Sequence, residues 1–137
     1  MAEFIRLTVP AGAGASAAAQ AVAASLGLQL HMSVDRLDDL RLALDEALAE
    51  VVAACPDAAE VHCEFAVDAT GIEVRLQAQT STEQLPDHHG LGWTVLRAIT
   101  GRVHAFVDAG RLHLHLSVAS DSPSGAVPAP GAADQAR

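Results

Sequence analysis

The chain has 137 residues and a formal net charge of −9, from 17 acidic and 8 basic residues. That length suits one domain with a single layered core, and the acidic balance argues against direct nucleic-acid binding because it repels phosphate backbones. Half of the residues are hydrophobic, yet there are only three Phe, one Trp and no Tyr, so the core must be built from Leu, Val, Ile and Ala.

Phe4 to Val9 alternates, with Ile5, Leu7 and Val9 on one side and Arg6 and Thr8 on the other, which predicts a half-buried strand. The Ala- and Val-rich run from Ala15 to Leu26 predicts a helix, entered after Gly12 and Gly14 and stopped at Gly27. A run like that, from Ala11 to Leu30, has the look of a signal sequence. It lacks a basic leading region and a cleavage context, and follows Glu3 and a strand-like segment. No stretch is long and apolar enough to span a bilayer, so a soluble protein without membrane association is the expectation.

A second helix is predicted from about Asp35 to Ala54. Leu37, Leu40, Leu44, Leu48 and Val51 recur at helical spacing as one apolar stripe. Ser33 is the expected cap, with Arg36 three residues on. Cys55-Pro56-Asp57 ends the helix, because proline disfavours helical geometry in the residue before it.

Two hairpins complete the pattern. Val61, Cys63, Phe65 and Val67 alternate with His62 and Glu64, turn at Asp68-Ala-Thr-Gly71, and return through Ile72, Val74, Leu76 and Ala78. A polar linker, Gln79 to His89, leads to a helix from about Gly92 to Thr100. The second hairpin runs from Val103 to Val107, turns at Asp108-Ala-Gly110, and returns through Leu112, Leu114, Leu116 and Val118 against His113, His115 and Ser117. Strand, helix, helix, hairpin, helix, hairpin predicts an α+β two-layer sandwich: a mainly antiparallel sheet with about three helices on one face. The domain is placed at residues 1–119. Residues 120–137, mostly Ser, Pro, Gly, Ala and Asp without apolar period, are expected to form a disordered tail.

Several chemistries are not supported by motif. Cys55 and Cys63 show neither zinc spacing nor a disulfide framework, so a reduced, cytoplasmic setting is expected. His113 and His115 share a strand face and His88-His89 precede the glycine turn, but a zinc site needs three or four converging ligands. These histidines read as exposed polar positions. There is no Gly-x-Ser-x-Gly, and neither cysteine has an identifiable histidine partner.

Two segments carry more. Asp39-Leu-Arg-Leu-Ala-Leu-Asp-Glu46-Ala lies on the second helix, and Gly90-Leu91-Gly92 opens the third. Glu46 and Glu50, four residues apart, share one helical face, and with Asp39 they lie away from the leucine stripe. Glycines at a helix start can present N–H groups to a phosphate. Alternatively, Gly92 serves an ordinary loop-to-helix entry with close packing beneath Trp93.

With the order of elements, these segments resemble the RsbW-type anti-sigma factors and serine-protein kinases of the GHKL superfamily, which have the Bergerat (histidine kinase-like ATPase) fold. The resemblance covers roughly residues 3 to 119. It implies a bacterial regulator that, as a homodimer, captures a sigma factor and is released by an anti-anti-sigma antagonist. By the resemblance Glu46 matches the glutamate that activates the attacking group, here a weak or vestigial base. Glu50, Gly90, Leu91 and Gly92 fall at nucleotide-binding positions. Glu50 stands where the family has the magnesium-binding asparagine, and its oxygens would suit magnesium if ATP bound. The adenine-reading aspartate and its glycines should fall near Ala78 to Thr80, where the chain reads Ala-Gln-Thr. Trp93 replaces a smaller aliphatic residue and is expected to fill nucleotide space. These departures imply an anti-sigma factor with Mg-ATP binding weak or lost. Two alternatives are an active kinase phosphorylating its antagonist, and a vestigial ATPase-fold module for another signalling partner.

Overall fold

The computed structural model describes residues 3–12 and 14–120. Within them, eight elements form in the order β1 (Glu3–Pro10), α1 (Ala15–Gln29), α2 (Val34–Ala54), β2 (Glu60–Asp68), β3 (Gly71–Gln79), α3 (Leu91–Ile99), β4 (Arg102–Asp108) and β5 (Arg111–Ala119). The expected tail, apart from Ser120, lies outside the described residues.

Period-two alternation builds the sheet. Val61, Cys63, Phe65 and Val67 on β2, Ile72, Val74, Leu76 and Ala78 on β3, and Leu112, Leu114, Leu116 and Val118 on β5 are all buried. Each fully buried Leu, Ile, Val or Phe among them contributes about 1.5–3 kcal/mol of transfer free energy. The five strands are antiparallel throughout, in the order β1-β2-β3-β5-β4. The three helices cover the apolar face, and among the described residues no helix packs on the other. The α+β sandwich with an antiparallel sheet is therefore what the alternation predicted.

β1 and β4 are the edges, and their burial is weaker than their alternation implied. Ile5 is exposed and Leu7 half-buried; of residues 4–10 only Val9 is buried. An edge strand has helix cover and a neighbour on one side only.

Ser33 caps α2 as predicted, its hydroxyl accepting the Arg36 N–H at 3.1 Å. Leu40, Leu44, Leu48 and Val51 are buried along that helix, whereas Leu37 is half-buried.

The end of α1 differs from the expected stop at Gly27: the helix runs on to Gln29. Gly27 is buried inside it because a Cβ there would run into Leu37 Cδ2 and lie 3.3 Å from Met32 Sδ. Its role is close packing. The stop comes at His31, which takes a left-handed φ of 58°. The Met32 N–H donates to the Gly27 carbonyl and the His31 N–H to the Leu28 carbonyl, each at 3.0 Å. That pair of bonds is the Schellman pattern of helix termination, made here without a glycine at the left-handed position.

Candidate functional site

The buried stripe of α2 fixes where its acidic face points. With Leu44, Ala47, Leu48 and Val51 turned to the sheet, Glu46 and Glu50 fall on a half-buried flank of the helix. That flank meets the start of α3. A Cβ added to Gly92 would lie 2.9 Å from Glu46 Oε1 and overlap the Glu50 carboxylate. The structure thus brings together Glu46, Glu50 and Gly92, three of the five residues singled out on the sequence. Gly92 does permit a close approach, but what approaches is a pair of carboxylates.

Gly90 is the N-cap of α3 in extended geometry, and Leu91 is 80% exposed. Asp87 organises the turn before them. Its side chain accepts the His89 N–H at 2.9 Å and its carbonyl accepts the Gly90 N–H at 3.0 Å. Two of the N–H groups that precede the helix are therefore already satisfied, and a carboxylate already sits beside the turn. Asp39 stands apart from this cluster, ion-paired with Arg36 at 3.3 Å.

Electrostatics follow from that crowding. Glu50 is held above its ordinary carboxylate value, first by burial, then by the negative charges of Glu46 and Asp87, with His88 opposing. The site stores like charge where a phosphate ligand would need positive charge or free N–H groups.

Trp93 is 4% exposed, and the His88 ring stacks on it with centroids 4.5 Å apart and planes at 24°. Sequence reasoning did not pair these two, because they are joined by a turn whose geometry Asp87 sets.

At the position where a base-reading carboxylate was sought, Ala78 is fully buried in the core. The Thr80 N–H donates to the Gly110 carbonyl at 2.9 Å, and the Thr80 hydroxyl donates to the Thr82 carbonyl at 3.3 Å. This segment is tied to the second hairpin.

The open sheet face carries a second grouping that the sequence reading only half found. His113 and His115 were read as exposed polar positions; both are half-buried and packed in a ring cluster with His104 and Phe106. The signal was available in the alternation of β4, which sets His104 and Phe106 on one face opposite Val103, Ala105 and Val107. A hollow of about 660 Å³ lies on this same face, lined by Arg6, His62, Arg75, Arg111 and His113 among others. It is on the far side of the sheet from Glu46 and Glu50, so it is not a nucleotide pocket of the expected kind.

Among the described residues, no three His, Cys, Asp or Glu side chains converge in a way that would hold a metal ion. Cys55 and Cys63 are free and buried, and burial pushes the Cys63 thiol up to about 11, which makes it a poor nucleophile. No helix among the described residues is long and apolar enough to cross a membrane. In comparison with known proteins, no family model matches the chain and no curated protein matches it.

Proposed function

We propose that the chain is an anti-sigma factor on a Bergerat-type scaffold, one that works by binding protein partners and has given up its nucleotide. The observation that carries this reading is the placement of the Glu46 and Glu50 carboxylates against Gly92. The residues do not fit a magnesium nucleotide. Glu50 and Asp87 put negative charge at the glycine turn, Asp87 occupies the His89 and Gly90 N–H groups, and Ala78 offers no acceptor for a base amino group. Bringing a triphosphate to that place would add charge where the carboxylate of Glu50 is already disfavoured.

The scaffold part rests on the order of elements. A strand, two helices, a hairpin, a glycine-led helix and a second hairpin, with the glutamate-bearing helix packed on the glycine-led one, agree with the fold that the resemblance implies. In this reading a homodimer captures a sigma factor in the cytoplasm, and an anti-anti-sigma protein displaces it by competition. Phosphorylation plays no part. The kinase alternative asks Glu46 to serve as a base beside a second carboxylate and next to a bound triphosphate, and electrostatic stabilisation of phosphoryl transfer needs the opposite sign of field.

A pull-down of the full chain against the sigma factors of its own genome tests the reading. One sigma factor should be retained without Mg-ATP and released by an antagonist protein. Retention of none would overturn the anti-sigma assignment.

A further inference from the structure

β4 is an edge strand of the sheet. It pairs with β5 alone, and none of its seven residues is fully buried. What reinforces it on the open face is a block of rings. His104 faces His115 directly across the strand pair and Phe106 faces His113. Phe106 and His113 stack with centroids 4.8 Å apart and planes at 6°, while the His104 and His115 rings meet edge-on at 5.1 Å. Phe106 also meets His115 edge-on at 5.4 Å, and His113 and His115 are 6.3 Å apart.

We propose that this ring block is an acid-sensitive latch: with its imidazoles neutral it holds β4 on β5, and with them protonated it lets β4 detach. Neutral rings stack and shed water. Protonated, the three imidazoles become like charges placed directly opposite and beside one another, an arrangement that destabilises a strand pair.

The surroundings strengthen the effect. On β3, Arg75 stands opposite His115 and the uncharged Gln77 opposite His113. Arg102 and Arg111 lie at the two ends of the β4–β5 pair. Of the nearby carboxylates, Glu73 and Glu64 are paired with Arg75 at 3.3 and 3.4 Å, and Glu64 also with Arg6 at 3.0 Å. Asp108 lies at the turn, and His62 is paired with Glu60 at 3.3 Å. Little negative charge is left to offset protonated rings.

His115 is held below its ordinary value of 6.5, first by burial, then by His104 and Arg75, with Glu73 opposing. A histidine with a depressed value in the folded state lends stability above its unfolded value and loses it as pH falls through the folded one. The latch therefore opens on acidification below the ordinary histidine range. Detachment of β4 would bare the hydrogen-bonding edge of β5, a template for an incoming strand.

Hydrogen exchange of the full chain, followed by mass spectrometry and corrected for intrinsic rates, tests the latch at about pH 7.5 and about pH 5. Protection of residues 102–108 should fall about tenfold or more on acidification while β2 and β3 keep theirs. In the double variant His104→Gln, His115→Gln the drop should vanish. Unchanged protection of β4 in the wild type, equal loss across the sheet, or the same drop in the double variant would each overturn the latch. Should the variant fail to fold, an NMR titration of the wild-type His115 imidazole decides: it must titrate below the ordinary 6.5, and titration at or above that value would overturn the proposal.

Discussion

Glu50 on α2 lies so close to Gly92 on α3 that a Cβ at Gly92 would overlap its carboxylate. This contact joins the two segments in which the resemblance resides. On the proposed reading it also argues against a phosphate bound at that turn. A glycine that could admit an anion beside its backbone admits the chain's own glutamates, and the neighbouring turn is satisfied by Asp87.

The charge stored there should be measurable as stability. Burial and the charges of Glu46 and Asp87 raise the Glu50 value above its ordinary 4.5, so the folded state favours the neutral acid. The stability contributed by this site is complete below the ordinary value and is lost as pH rises through the folded one. Glu50→Gln should therefore stabilise the protein at neutral pH, by about 0.5 kcal/mol if it relieves one like-charge pair. Near pH 4, where Glu50 is already neutral, the gain should vanish. Urea denaturation of both proteins at the two pH values checks the sign; destabilisation at neutral pH would mean that the carboxylate has a favourable partner.

The end of α1 makes two opposite predictions four residues apart. Gly27→Ala should destabilise by about 1 kcal/mol, the net of overpacking against Leu37 and Met32 and a gain in helix propensity. His31→Gly should stabilise by about 1 kcal/mol, because it removes a side chain from left-handed geometry without touching the Schellman bonds. Denaturation midpoints read both, and a reversal of either sign would show that the helix ends differently.

Those two residues also mark what could be read from the sequence. Strict alternation announced β2, β3 and β5, since each has one face buried and one open. The cap at Ser33 and the stop at Cys55-Pro56 were local chemistry, and local chemistry is legible. Gly27 was read as a stop because glycine usually ends a helix; here a tertiary contact with Leu37 demanded its small size, and the left-handed residue was a histidine. At the candidate site, spacing placed Glu46 and Glu50 on one helical face. That this face meets Gly92 depends on how α2 and α3 pack, and no residue in either helix records it. The His104, Phe106, His113 and His115 block required the register of β4 on β5, which pairs residues across a turn. The stack of His88 on Trp93 depended on Asp87 shaping the loop.

Titration calorimetry of the full chain with Mg-ATP tests the proposed loss of the nucleotide most directly. With Glu50 and Glu46 against Gly92, and no acceptor at Ala78 for the base, millimolar nucleotide should give no binding heat. Clear micromolar binding that Glu46→Ala abolishes would contradict this and restore the kinase.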